Sequence, residues 1–154
     1  MALRGWATFA WQSDYGQFYL IDREDVDFLA PEVVTSEMMS RSFHVPPTGL
    51  VVYTGDCLQQ QIRIHIHDAE PELATEDVMS GKPWTRVHAA RTRFPSRSFA
   101  ISSPSLPHPM PGGPAFFLES EMVGARISWM EFEGIRDDSV PVEPDVIEIA
   151  LWPA

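Results

Sequence analysis

Hydrophobic and polar side chains alternate with a period of two along several short stretches of this chain, the pattern of β-strands with one buried face. The clearest stretch is residues 61–67, where Ile62, Ile64 and Ile66 alternate with polar side chains. The isoleucines are predicted to face a core. The polar side chains of the stretch are predicted to form a solvated strand face: Gln61, Arg63, His65 and His67.

Other stretches are rich in β-branched and aromatic residues, and they predict further strands. They are residues 5–11, 17–21, 50–54, 85–92, 98–102, 115–121, 125–133 and 145–152. Turn-forming residues follow the first and the third of these stretches. We therefore expect two antiparallel hairpins, one joining 5–11 to 17–21 and one joining 50–54 to 61–67.

Helical signals are few. Residues 31–41 begin with a proline, carry an early acid and place two apolar side chains four apart, so they predict a short helix. Residues 71–80 repeat this pattern and are followed by Gly81. The proline-rich residues 104–114 are predicted to form a loop, because proline has no N–H for a central strand.

These elements predict a mainly β fold, an antiparallel two-sheet β-sandwich with one or two short helices. The length of 154 residues suits a single domain, so residues 1–154 are expected to form one sandwich domain. The lone Cys57 excludes an internal disulfide, and the N-terminus has no apolar run typical of a secretory signal. A cytoplasmic protein is expected.

The formal net charge is −11, with 22 acidic against 11 basic side chains. Binding to phosphate backbones depends on Lys and Arg, so no nucleic-acid partner is expected. No membrane association is expected either, because every apolar run is too short to span a bilayer and anionic lipid would repel the chain. A basic protein partner would be attracted over long distances, although an acidic surface that only maintains solubility explains the same charge.

Two groups of acidic residues are candidates for a partner-facing surface, and solvated loop charge is the alternative for both. They are Asp22, Glu24, Asp25 and Asp27, and Glu131, Glu133, Asp137 and Asp138.

The stretch from residue 86 to residue 97 is basic, with Arg86, His88, Arg91, Arg93 and Arg97. These side chains are candidates for an anion site, but pairing with the surplus carboxylates of the protein is the favoured interpretation.

Catalytic motifs are missing from the sequence. Cys57 would need a neighbouring base to act as a nucleophile, and nothing in the sequence places one there. The chain has no Gly-x-Ser-x-Gly elbow and no glycine-rich phosphate loop. The sequence therefore favours a non-enzymatic protein, with no catalytic residue and no cofactor assigned.

Two histidines separated by one residue on a strand share a face and can share a metal ion. His65, His67 and Glu72 have the spacing His-x-His-x4-Glu, which resembles the first metal motif of the cupin barrels. The chain departs from that motif at Gln59 and Met79, where the cupins have glycine. A solvated strand face explains the two histidines as well, so no metal ligand is assigned.

Three short motifs are distinctive: residues 14–20 (DYGQFYL), the end of a strand at residues 67–71 (HDAEP) and the closing residues 149–153 (IALWP). With the order of elements, they resemble a group of small bacterial β-sandwich proteins similar in layout to competence protein J. A Gly-x-Tyr-x-Val/Leu-Arg strand typical of the group is present only in part, at residues 124–127. Competence protein J inhibits a nuclease by binding it, so the resemblance implies a sandwich fold and a nuclease as partner.

The leading hypothesis is a non-enzymatic binding protein, an inhibitor or immunity protein that neutralises a basic toxin or nuclease through an acidic surface. Two alternatives stay open. One is a cupin-like metal-dependent enzyme that uses the His-x-His strand, and the other is a structural β-sandwich that forms homo-oligomers.

Overall fold

The computed structural model describes residues 2–12, 15–25, 28, 31, 33–54, 59–104, 114–132 and 143–154. Within these ranges, the elements follow one another in the order β1 Leu3–Gln12, β2 Gln17–Asp22, α1 Ser36–Arg41, β3 Phe43–His44, β4 Leu50–Tyr53, β5 Gln59–His67, β6 Arg86–Arg93, β7 Ser98–Ser102, β8 Ala115–Phe117, β9 Met122–Met130 and β10 Val146–Pro153. The mainly β prediction is confirmed.

The strands form two sheets that pack face to face. The first sheet has the order β1-β5-β10-β9-β6 and the second has the order β3-β4-β2-β7-β8. Neighbouring strands are antiparallel, with the exception of the parallel pair β5 and β10. The antiparallel two-sheet sandwich predicted from the sequence is therefore the observed fold.

The core lies between the two sheets and joins their inward-facing side chains. Ile62 and Ile64 of β5 are fully buried, and Ile66 is 7% exposed, so the burial predicted from the alternation is confirmed. Ile149 of β10 and Phe18 of β2 belong to the same cluster. Each such side chain contributes about 1.5–3 kcal/mol when fully removed from water.

Neither of the two predicted hairpins forms. β1 pairs with β5, whereas β2 pairs with β4 and β7 in the other sheet. β4 and β5 likewise lie in different sheets. Turn residues such as Tyr15 and Gly16, both with positive φ, reverse the chain direction, but they do not determine whether the next strand pairs with the last one or crosses to the facing sheet.

Helix α1 covers only the second half of the predicted range 31–41. It begins at Ser36 because Thr35 is the N-cap, with its Oγ1 accepting a hydrogen bond from the Met38 N–H at 3.1 Å. It ends at Arg41, and Ser42 is the C-cap, in the left-handed region with a φ of 64°. Met38 packs α1 on the outer side of the second sheet, in a cluster with Tyr19 and Val51.

The helix predicted at residues 71–80 is wrong. This part of the chain is irregular, with a turn at residues 78–80 and an isolated bridge between Glu76 and Pro83. The Asp77 carboxylate accepts hydrogen bonds from the Met79 N–H and the Ser80 hydroxyl. Such local side-chain hydrogen bonds compete with helix formation.

In the described part of the chain, no helix is long and apolar enough to cross a membrane.

Candidate functional site

Residues 70–84, here called the crossing segment, run over the outer face of the first sheet. The segment begins after the end of β5 and leads to the start of β6. Between it and the outer faces of β5, β9 and β10 lies a cavity of about 590 Å³. This outer cavity is the candidate functional site, because two arginines, two histidines and several carboxylates, buried or partly buried, meet around it.

A buried ion pair attaches the crossing segment to the sheet. Arg63 Nη1 lies 2.8 Å from Asp77 Oδ1, and the two side chains are 7% and 3% exposed. Burial raises the pKa of Asp77, but hydrogen bonds from Arg63, Ser80 and the Met79 N–H outweigh it and hold that pKa below its usual value. The face of β5 predicted to be solvated is therefore covered at Arg63.

Arg126 of β9 attaches the start of the crossing segment. Its Nη1 donates hydrogen bonds to the carbonyl oxygens of Pro71 at 2.8 Å and Glu72 at 3.2 Å, and its Nη2 lies 3.3 Å from Glu70 Oε1. The guanidinium also lies over the ring of Trp152, 5.5 Å from its centroid. Arg126 thus joins the sheet, an aromatic side chain and the loop backbone.

Glu148 and the two histidines of β5 line the outer cavity. His65 Nδ1 lies 3.4 Å from Glu148 Oε1, and Arg63 Nη1 lies 4.0 Å from the same oxygen. Burial raises the pKa of Glu148, although Arg63 opposes the rise. Burial lowers the pKa of His65, and the charge of Arg63 lowers it further. Both shifts favour the uncharged forms.

His67 has a lowered pKa as well, because of burial and its neighbour His65, and the two rings lie 6.1 Å apart. Its Nδ1 is buried without a hydrogen-bond partner in the described ranges. Glu72, the third member of the cupin-like spacing, is an exposed residue of the crossing segment at the rim of the cavity. Among the described residues, no group of three His, Cys, Asp or Glu side chains is placed to hold a metal ion.

The predicted acidic residues at the end of β2 differ in exposure. Asp22 is 2% exposed, so the expectation that it faces a partner does not fit the structure. Its carboxylate accepts hydrogen bonds from the N–H groups of Glu24 and Ser96, both at 2.9 Å, and fixes a turn. Glu24 is exposed, and Asp25 is partly exposed and accepts a hydrogen bond from Thr48.

In the second acidic group, Glu131 is 44% exposed and pairs with Arg86. The remaining candidates lie outside the described residues: Asp27, Glu133, Asp137 and Asp138. Cys57 and residues 105–113 of the proline-rich stretch lie outside them as well.

The described members of the two acidic groups lie at opposite ends of the sandwich. The Glu131 N–H binds the hydroxyl of Thr85, next to the first residue of β6. Asp25 lies near the other end of β6, because it contacts Thr48. The next residue, Gly49, donates its N–H to the carbonyl oxygen of Arg93, the last residue of β6. A strand of this length extends over roughly 24 Å, so a partner would have to span that distance to contact both groups.

Internal pairing of the basic stretch is confirmed for two of its members. Arg93 Nη2 lies 2.6 Å from a carboxylate oxygen of Glu121, and Arg86 pairs with Glu131. His88 lies between two aromatic rings of the core instead of facing an anion site.

Sequence reasoning missed the crossing segment. Its largest exposed apolar side chains are Leu73 at 68%, Val78 at 92% and Met79 at 69% exposure. The available signal was the absence of basic residues from 68 to 77, beside only two apolar side chains at helical spacing, Ala74 and Val78. That signal was interpreted as a helix because a proline precedes it and a glycine ends it.

Comparisons with known proteins identify the fold. The chain is similar over 100% of its length to the crystal structure of ComJ, inhibitor of the DNA-degrading activity of NucA, from Bacillus subtilis, with a TM-score of 0.72 at 11% identity and all of that chain covered. It is also similar over 99% of both chains to a protein described as crocagin biosynthetic gene J, with a TM-score of 0.59 at 12% identity. No protein-family model and no curated protein matches the sequence. The resemblance to competence protein J is thus confirmed at the level of the fold.

Proposed function

We propose that this protein is a non-enzymatic inhibitor or immunity protein that binds a basic nuclease or toxin and blocks its active surface. The observation that carries the proposal is the similarity over the whole chain to ComJ, a nuclease inhibitor, in a protein whose own net charge is −11. Fold alone does not specify function. The acidic charge adds an independent physical reason for a basic partner.

Charge complementarity gives such an inhibitor fast and selective association. Opposite charges steer two proteins together, and salt screens this attraction over a Debye length of about 8–10 Å at physiological ionic strength. Glu24 and Glu131 are exposed acidic side chains that would take part in it. The proposal further takes residues 1–154 as one domain that acts in the cytoplasm without a cofactor.

The test uses the purified protein and each purified nuclease or toxin encoded beside its gene. We expect stoichiometric loss of nuclease or toxin activity, and an association rate that falls at least tenfold between low and high salt. The proposal would be contradicted if the protein inhibited none of these nucleases or toxins. It would also be contradicted if the association rate did not depend on salt. Glu24→Gln combined with Glu131→Gln should lower the association rate more than the doubly substituted control Arg41→Gln and Glu37→Gln, which leaves the net charge unchanged.

A further inference from the structure

The crossing segment is held rigidly although it has no regular secondary structure. The Arg63–Asp77 pair and the Arg126 hydrogen bonds attach it to the sheet. Within the segment, the Asp77 N–H donates to the carbonyl oxygen of Lys82 at 2.8 Å and the Trp84 N–H donates to that of Thr75 at 3.0 Å. These contacts restrict its backbone conformation in the absence of a partner.

The exposed apolar side chains of this segment contribute little to the stability of the fold. Leu73, Val78 and Met79 are more than two-thirds exposed, so most of their apolar surface stays in water. Glu72 and Glu76 are exposed beside them. Apolar surface displayed on a fixed, irregular segment is typical of a binding site, because a preorganised loop loses little conformational entropy when a partner docks.

The outer cavity beneath the segment is acidic. Its lining includes five carboxylates, Glu70, Glu72, Glu76, Asp77 and Glu148, against a single arginine, Arg126. Asp77 is neutralised by Arg63 and Glu70 by Arg126. Glu148 is 20% exposed, and its basic neighbours are His65, whose Nδ1 lies 3.4 Å from Oε1, and Arg63, whose Nη1 lies 4.0 Å from that oxygen. Trp84 also lines the cavity, and an indole ring is the aromatic group that attracts cations best.

We infer that the crossing segment and the outer cavity together form the docking surface for a basic protein, with one lysine or arginine side chain of that protein entering the cavity beside Glu148. Leu73, Val78 and Met79 would contact apolar groups around the inserted side chain. The inference rests on the proposed function and specifies which surface performs it. It differs from the acidic groups at the ends of the sandwich, because it combines exposed apolar area with a concave site for a cation.

Insertion of a cation has a consequence for protonation. Burial holds the pKa of Glu148 above its usual value in the free protein, and an adjacent guanidinium would lower it again. Binding is therefore expected to release protons at a pH near the raised pKa of Glu148. Calorimetric titrations in two buffers of different ionisation enthalpy measure this release.

The first experiment probes the cavity with argininamide, and citrullinamide, which differs in having an uncharged side chain, is the control compound. The ring signals of His65 and His67 are followed by NMR during titration. We expect saturable shifts with argininamide in the millimolar range, no saturation with citrullinamide, and at least tenfold weaker binding for Glu148→Gln. The matched control Glu37→Gln removes an exposed carboxylate of α1 and should bind like the wild type. Equal shifts with both compounds, no shifts, or wild-type binding by Glu148→Gln would overturn the cavity assignment.

The second experiment tests the apolar part with the purified basic nucleases and toxins encoded beside the gene. We expect Val78→Ser combined with Met79→Ser to weaken binding at least tenfold, while Val33→Ser, at a residue that is 73% exposed outside this surface, leaves binding unchanged. If a partner binds the wild type and the double variant equally, the docking surface is wrong and the proposed function stands. If none of these proteins binds the wild type, the proposed function fails and the docking role with it.

Discussion

Removal of the Asp77 carboxylate is the sharpest test of how the crossing segment is held. In Asp77→Ala, the guanidinium of Arg63 stays buried at 7% exposure and loses its partner at 2.8 Å. Breaking a buried ion pair by removing one member costs about 3–5 kcal/mol. Glu148 Oε1, at 4.0 Å from Arg63 Nη1, replaces part of the lost attraction. We therefore expect the free energy of unfolding to fall by about 3 kcal/mol.

Urea unfolding at neutral pH, followed by tryptophan fluorescence, measures this loss. Replacement of Arg63 by methionine in the same chain should restore about 2 kcal/mol relative to Asp77→Ala, because no unpaired buried charge is left. Glu143→Ala is the control, since it breaks an exposed ion pair with Lys82. The side chain of Lys82 is 57% exposed and that of Glu143 is 69% exposed. Exposed pairs of this kind contribute about 0–1 kcal/mol.

Hydrogen exchange separates local release from global destabilisation. The Gly81 N–H donates to the carbonyl oxygen of Asp77 at 2.7 Å, so its protection reports on the turn that Asp77 organises. We expect this amide to lose more protection in Asp77→Ala than the amides of β5. A loss of stability no larger than that of Glu143→Ala, with unchanged protection at Gly81, would refute the assignment of Arg63 and Asp77 as the anchor.

Three further predictions concern the sheet beneath the cavity. Gly124→Ala should destabilise the protein by about 1–3 kcal/mol in urea unfolding, because a Cβ atom at this position would collide with the ring of Trp152, whereas Gly5→Ala, with nothing closer than 4.0 Å, should change stability little. Glu148 has a raised pKa, so between pH 4.5 and that pKa the folded state holds more protons than the unfolded state, and stability falls as pH rises. Glu148→Gln should remove this fall. Equal pH profiles of the variant and the wild type would contradict this prediction. His65 has a lowered pKa, so the unfolded state binds more protons below pH 6.5 and stability falls as pH drops from 6.5 towards the folded pKa; urea titrations of His65→Asn should show a smaller fall than those of the wild type.

Most of the strands could be predicted from the sequence, because β-branched and aromatic residues and alternation with burial determine their pattern; the two-residue strand β3 was not predicted. β7 was predicted with its observed bounds, and β6 and β10 within one residue at each end. Alternation also assigned the isoleucines of β5 to the core, since a one-residue slip would turn all of them towards the outside. These predictions need only the two faces of a single strand, and a single sequence contains that information.

Strand pairing could not be predicted in the same way. β1 and β2 each present one apolar face to the same core, and that requirement is met equally well from either sheet. The parallel pair of β5 and β10 joins residues that are far apart in sequence. Local turn chemistry carries no information about such contacts, so both hairpin predictions failed at the step from strand to sheet.

The candidate site was missed for a related reason: the polar face of a strand can contact either water or a further polar segment of the chain. Alternation shows that Arg63 and His65 are excluded from the apolar core, but it does not distinguish water from a second, polar layer. In this protein that layer is the crossing segment, and it buries Arg63 without making it part of the core. A buried arginine needs hydrogen-bond acceptors and is stabilised most by a carboxylate, so the informative question for such a strand is which acidic residue lies nearby in an irregular segment. In this protein that residue is Asp77. It is followed by the turn-forming residues Ser80 and Gly81, and the apolar spacing typical of a helix does not continue beyond them. A search for this combination would have placed a polar site over β5.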